Sequence, residues 1–254
     1  STITQFVTLY ADTPRIDFKT EVDWHEQQTL LKVAFPVNIR SNKATYDIQF
    51  GNIERPTHWN TSWDYAKFET VGHKWADLSE GNYGVSLLND CKYGHDIKDN
   101  VMRLTLIKSA IEPDEVADQG KHEFTYSLLP HEGDWKQAEV AKVAYQLNYP
   151  LSAHEIKANE QGTLAPVYQF ATVDTDGVMI ETIKKAEDEE AYIVRLYEYK
   201  QNRHQHVTLS FAQALTSAKE CNLMEEEEQA VSTHANQFTF AIAPYEIKSF
   251  KVTF

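Results

Sequence analysis

Apolar and polar residues alternate along most of this chain with a period of two. Ile16, Phe18, Val22 and Trp24 fall opposite Asp17, Lys19 and Asp23, with Thr20 on the apolar side. The same alternation runs through Tyr46, Ile48 and Phe50, through Met102, Leu104 and Leu106, and through Phe124, Tyr126 and Leu128. It returns at Tyr192, Val194 and Leu196, at Val207, Leu209 and Phe211, at Phe238, Phe240 and Ile242, and at Phe250, Val252 and Phe254. A period of two predicts half-buried strands. Phe6 to Tyr10 predicts a short apolar strand, and Leu30 to Val37 a buried strand closed by Pro36. The period changes to 3.6 only once, over Trp135 to Asn148. There Val140, Val143, Ala144 and Leu147 share one face, Asp134 stands where a cap would, and Pro150 lies just beyond. Many strands and one short helix predict an all-β molecule of packed antiparallel sheets.

Two stretches interrupt this pattern. Residues 51–80 alternate poorly and concentrate Trp59, Trp63 and Trp75 with His58 and His73 among charges, so a long excursion with its own packing is expected. Residues 150–170, with Pro150 and Pro166, read as an extended linker, which places a domain boundary between 165 and 166. Glu112 to Gly120 and Lys184 to Ala191 read as charged turns, and Met224 to Glu228 as a solvated acidic tip.

Composition narrows the function classes. The formal net charge is −14 over 254 residues, which argues against nucleic acid and anionic membrane surfaces as partners. No stretch approaches the roughly 20 apolar residues of a membrane span. No secretory leader is read at the start, where STITQFVTLY already has the pattern of a strand. With no initiator Met, the chain is expected to be a piece of a longer one. Cys91 and Cys221, far apart and outside any CxxC pattern, read as two free thiols.

The densest candidate chemistry lies in Gly81 to Gly94. A short apolar strand (Val85, Leu87, Leu88) delivers a glycine-bounded polar tip of Asn89, Asp90, Cys91, Lys92 and Tyr93. A plain hairpin end explains the same residues. Trp59, Trp63, Trp75, Tyr83 and Tyr93 add aromatic faces of the kind that stack on sugar rings, and also of the kind that fill cores. His204 and His206 form an HxH pair with no third ligand in view, so no metal is expected here. No nucleophile elbow, dinucleotide fingerprint or phosphate loop occurs.

Motifs along the whole chain give it a family likeness. They are Pro14-Arg15-Ile16-Asp17-Phe18, Val22-Asp23-Trp24, Arg55-Pro56-Thr57-His58 with Asn60-Thr61-Ser62-Trp63, and His73-Lys74-Trp75-Ala76-Asp77-Leu78-Ser79. Tyr83-Gly84-Val85, Leu88 to Gly94 and His122-Glu123-Phe124-Thr125-Tyr126 follow, then Ile180 to Glu187, Arg195-Leu196-Tyr197-Glu198 and Pro244-Tyr245-Glu246-Ile247-Lys248. In these the chain resembles the C-terminal region of glycoside hydrolase family 38 α-mannosidases of cytosolic and bacterial type. The resemblance implies a galactose-mutarotase-like β-supersandwich over 1–165, lacking its first strands, and a smaller β-sandwich over 166–254. It implies hydrolysis of terminal α-D-mannose with retention, in a cytoplasmic enzyme whose catalytic zinc and Asp nucleophile belong to an N-terminal barrel.

This chain has no strand–helix alternation of that kind, so no catalytic residue and no zinc ligand is expected in it, and alone it is expected to be inactive. By position in the motifs, Asn89, Asp90, Lys92 and Tyr93 are the rim candidates, followed by Trp75, Asp77 and His131. Arg15, Asp17 and Asp23 are expected to be structural, buried at strand ends. The partners implied are the barrel of the same enzyme, an α-mannoside and, since such enzymes often form oligomers, a second copy. Two other readings stay open: a stand-alone carbohydrate-binding module, and a mutarotase-like epimerase drawing on His58, His73, His95, His122 or His131 with a carboxylate.

Overall fold

A computed structural model describes residues 1–157, 161–163 and 165–254. Part of the linker expected over 150–170 therefore lies outside the described residues. The chain divides into two compact units, Ser1–Ala153 and His154–Phe254.

The first unit begins with β1 (Thr2–Leu9), β2 (Ile16–Trp24), β3 (Leu30–Pro36), β4 (Lys43–Ile48) and β5 (Gly51–Pro56). A short helix α1 (Ser62–Ala66) precedes β6 (Thr70–Val71), β7 (Trp75–Glu80), β8 (Tyr83–Asn89) and β9 (Gly94–Lys98). It closes with β10 (Val101–Lys108), β11 (Gly120–Glu132) and helix α2 (Val140–Asn148). Seven strands form one sheet in the order β1-β2-β11-β8-β7-β4-β5, and four form another in the order β3-β10-β9-β6. Every pairing is antiparallel. Their inner faces make one core, with Val22, Leu78, Leu87, Phe124 and Tyr126 from the larger sheet against Ile97, Met102 and Leu104 from the smaller. Most of the alternating residues read from the sequence fill it, but Phe50 does not: it lies in the turn after β4 with a left-handed φ of 54° and is 37% exposed.

The second unit is a separate sandwich. It comprises β12 (Ala171–Val173), β13 (Val178–Lys185), β14 (Tyr192–Glu198), β15 (His204–Phe211), β16 (Ser217–Cys221), β17 (Gln229–Ala230), β18 (Thr233–His234), β19 (Gln237–Ile242) and β20 (Ile247–Thr253). The sheets run β12-β15-β19-β18 and β13-β14-β20-β16-β17. Val194, Leu196, Phe250 and Val252 of one meet Val207, Leu209, Phe238 and Phe240 of the other. The all-β expectation, with a C-terminal sandwich, holds.

Four local expectations need correction. The helix starts at Val140 rather than Trp135, because Glu139 adopts a left-handed φ of 54° and interrupts the turns before it. Asp134 caps those turns instead, accepting from the amides of Lys136 (3.0 Å) and Gln137 (2.9 Å). The excursion over 51–80 resolves into β5, α1, β6 and β7. In α1, Thr61 is the N-cap, its hydroxyl accepting from the Asp64 amide at 3.1 Å. The run Leu30 to Val37 is only half-buried: in the edge strand β3, Leu31, Val33 and Phe35 pack against the core while Leu30 is 48% exposed. The acidic tip at 224–228 is tied down, with Glu225 paired to Lys184 at 2.8 Å and Glu228 to Lys219 and Lys251 at 2.5 Å each.

Candidate functional site

The outer face of the seven-stranded sheet carries the candidate residues. Side chains alternate across a strand, so Ala76 and Leu78 of β7 enter the core while Trp75, Asp77 and Ser79 point the other way. On β8 the outward positions are Gly84, Ser86 and Leu88, and on β11 they are Ser127, Leu129 and His131. The register sets Asp77 opposite Ser86, and Gly84 between Ser79 and His131. Helix α2 and the turn before it cover this face: the Trp135 ring lies 5.0 Å from that of Trp75, and Val140, Ala141 and Ala144 are buried. Trp75 is 1% exposed, so its ring serves the interior of this unit.

Under that cover lies a closed polar cluster. The Asp77 carboxylate stands 2.8 Å from Nε2 of His131 and accepts from the hydroxyls of Ser86 (2.7 Å) and Ser79 (2.5 Å). The His131 and Asp77 side chains are 4% and 2% exposed. Burial alone would disfavour the imidazolium, but the hydrogen bond and charge of Asp77 outweigh it and raise His131 above its ordinary pKa. Nε2 is the nitrogen nearest both Asp77 and Ser86, so no separate base faces the serine, and the cluster orients rather than activates. An epimerase base must reach its substrate, and the side chains of this pair are almost wholly covered.

Glycine is required at position 84. A Cβ there would meet Cε1 of His131 at 2.3 Å and the Ser79 hydroxyl at 2.4 Å.

One strand away on the same face, Asp17 accepts from Arg15 (2.8 Å), Tyr10 (2.7 Å) and Ser127 (2.6 Å). Burial opposes its ionisation, yet those three donors hold its pKa below the ordinary carboxylate value. Arg15 and Asp17 are structural as expected. Asp23 is not buried: its side chain is 47% exposed beside His25, because it lies on the solvent side of β2 where no helix covers it.

The 89–93 turn is built from its first two residues. Asn89, 1% exposed, donates to the His73 carbonyl (2.8 Å) and accepts from the Lys92 amide (2.6 Å). Its own carbonyl accepts from the Asn148 side chain at 2.9 Å, which fastens the end of α2 to the turn. Asp90 accepts from the Thr125 amide at 2.9 Å. Its second oxygen, Oδ1, is buried without a hydrogen-bond partner. Lys92 and Tyr93 are carried outward by this frame. The Lys92 ammonium sits 4.6 Å over the Phe124 ring, and Tyr93, 53% exposed, lies 5.0 Å from the His73 ring. Desolvation, then the hydrogen bond and charge of Asp90, push the Cys91 thiol up to about 12, and neither cysteine is in a disulfide.

The structure thus brings Asp77 and His131 together, seats Trp75 beside them, and sets Asn89, Asp90, Lys92 and Tyr93 in one adjoining turn. Ser79, Gly84, Ser86, Trp135 and Asn148 were missed as members. The one available signal was Gly84 and Ser86 breaking the apolar run of β8. Among the described residues no three His, Cys, Asp or Glu side chains converge as metal ligands, the HxH pair of His204 and His206 included.

Residues 1–116 match the family model for the glycosyl hydrolases family 38 C-terminal domain, and residues 177–250 match that for the family 38 C-terminal beta sandwich domain. The chain is 41% identical to alpha-mannosidase G of Dictyostelium discoideum and 39% identical to alpha-mannosidase 2C1 of Homo sapiens, each over 98% of its length. It is 35% identical to an alpha-mannosidase of Saccharomyces cerevisiae over 94%. It spans only 23%, 24% and 24% of those proteins respectively. A crystal structure of an alpha-mannosidase from Enterococcus faecalis shares the fold, with a TM-score of 0.83 at 20% identity over 99% of this chain and 29% of that one.

Proposed function

Because this chain belongs to glycosyl hydrolase family 38, as part of its C-terminal region, we propose that it is the accessory β-region of an α-mannosidase. The whole enzyme would remove terminal α-D-mannose with retention of configuration in the cytoplasm. The observation that carries this reading is the near end-to-end likeness, at 35–41% identity, to proteins named alpha-mannosidase of which the chain spans under a quarter. In retaining hydrolysis one carboxylate attacks the anomeric carbon and a second group protonates the leaving oxygen. Asp17 and Asp77 are buried and held by several hydrogen bonds each, and we assign that chemistry to a barrel elsewhere in the longer protein. Among the described residues no three potential ligands converge, so the zinc implied by the resemblance does not fit them and would be held elsewhere in the longer protein.

The part left to this chain is positional. Asn89 and Asp90 fix the turn, and Lys92 and Tyr93 are presented at its surface to line the rim of the barrel's pocket. The closed Asp77–His131 cluster and α2 hold the strands that carry the turn. The test is hydrolysis of p-nitrophenyl α-mannoside with zinc added, by the longer protein and by the 254-residue chain. Turnover by the longer protein alone, with the α-anomer formed first, is the expected result. In that protein Tyr93→Ala is expected to lower kcat/KM while leaving stability within about 0.5 kcal/mol, as for an exposed side chain. Turnover by the 254-residue chain alone would overturn the division of labour.

A further inference from the structure

Between β5, α1, β6 and β9 lies a pocket of about 240 Å³. That is below the roughly 300–1,000 Å³ of drug-sized sites, and it suits a single ring. Its walls are Ile53, Pro56, Trp59 and Phe68, with Tyr46 and His95 deeper in. Trp59 and Phe68 are 37% and 63% exposed at its mouth, whereas Tyr46 is 2% and His95 0% exposed. The Arg55 guanidinium is stacked 4.6 Å from the Tyr46 ring and donates to the Val71 carbonyl at 2.6 Å.

His95 marks this pocket as a site. Both of its ring nitrogens are buried without a hydrogen-bond partner, a costly arrangement that buried polar groups ordinarily avoid. The ring is hemmed in, since a Cβ at Gly72 would meet its Cδ2 at 2.8 Å and the Tyr46 ring lies edge-on at 6.0 Å. Burial, then the charges of Arg55 and His73, push its pKa down to about 3. The imidazole is therefore neutral at ordinary pH, with one donor and one acceptor nitrogen. A hydroxyl matches both kinds of partner, whereas a carboxylate only accepts and an ammonium only donates.

Charged side chains also line the pocket, and the Lys98 ammonium lies 4.0 Å from the Trp59 ring. Glu54, Asp64 and Asp96 stand against Arg55 and Lys67. Glu54 is paired with Lys43 at 2.7 Å, Asp96 with Lys32 at 3.6 Å and Arg103 at 3.5 Å, and Asp64 accepts from Thr61 at 2.8 Å. Aromatic and aliphatic walls with a polar floor suit a ring that is apolar on its faces and hydroxylated at its edge.

We propose that this pocket binds one neutral pyranose ring, with Trp59 and Phe68 against a face of the sugar and His95 exchanging hydrogen bonds with its hydroxyls. The site is independent of the hydrolysis proposed above and stands or falls separately. Its source is either a free monosaccharide or the terminal residue of a glycan.

The test titrates the 254-residue chain with methyl α-D-mannopyranoside, methyl α-D-glucopyranoside, a linear mannotriose and glucuronate, following the His95 ring resonances by NMR. Saturable shifts at millimolar neutral sugar are expected, with glucuronate weaker. Trp59→Ala is expected to weaken binding about tenfold, the effect of a lost stacking face. His95→Phe, which keeps a ring and removes both nitrogens, is expected to abolish it. Should His95→Phe fail to fold, Trp59→Ala and the wild-type resonances decide. A tighter mannotriose assigns the glycan terminus, and equal affinities assign the free ring. No saturable shift, binding unchanged by Trp59→Ala, or tighter binding of glucuronate would each overturn the proposal.

Discussion

At the scale of single residues, the protonation of His131 is coupled to folding. Its pKa is raised in the folded chain, from an ordinary 6.5, by the buried Asp77 carboxylate. A group with a raised folded pKa binds its proton more tightly in the native state, so folding is favoured where the proton is present. That stability is complete below about 6.5 and is lost as the pH climbs through the raised folded value. Asp77→Asn is therefore expected to lower Tm most at acidic pH, with the gap to wild type narrowing above neutrality. Melting curves of both proteins from pH 5 to 9 would check it, and a gap that widened with pH would contradict it. Asp77 and His131 were picked out as individual candidates in the sequence. That they touch was not legible there, because 54 residues separate them and only the β7–β8–β11 register closes the distance.

At the scale of elements, β8 shows how one strand serves two faces. Val85 and Leu87 enter the core, while Gly84, Ser86 and Leu88 face α2. Gly84 has no space for a methyl group, since His131 and Ser79 already lie within 2.4 Å of where it would go. Gly84→Ala is expected to destabilise the fold by roughly 1–3 kcal/mol, as overpacking does. It is also expected to abolish the pH dependence assigned to His131 by moving that ring. Urea denaturation with the pH series above measures both effects. Helix α2 is a case where periodicity identified the element and not its start. The apolar face at Val140 and Ala144 was readable, but the left-handed Glu139 that delays the first turn has no sequence signature at a glutamate. Edge strands were misjudged for a related reason. Leu30 to Pro36 has the composition of a buried strand, and only the sheet order leaves it with a single neighbour.

At the scale of the whole molecule, charge is the dominant property. A formal net charge of −14 leaves acids unbalanced after all the ion pairs are counted, and their mutual repulsion works against the compact state. Raising salt from ~10 mM to ~150 mM shortens the Debye length from about 30 Å to about 8 Å. Tm is expected to rise over that range, and a fall would mean that the Lys184, Lys219 and Lys251 pairs outweigh the repulsion. The residues alone determined the class of the fold, its regularly alternating strands and its family, because alternation and motif order are local properties carried by each such segment independently. Only the tertiary structure decided which residues act together. The Asp77–His131–Ser86 cluster, the Asn89–Asn148 tie and the pocket over His95 each join segments distant in the chain, and burial, which sets their chemistry, exists only once the sheets have packed.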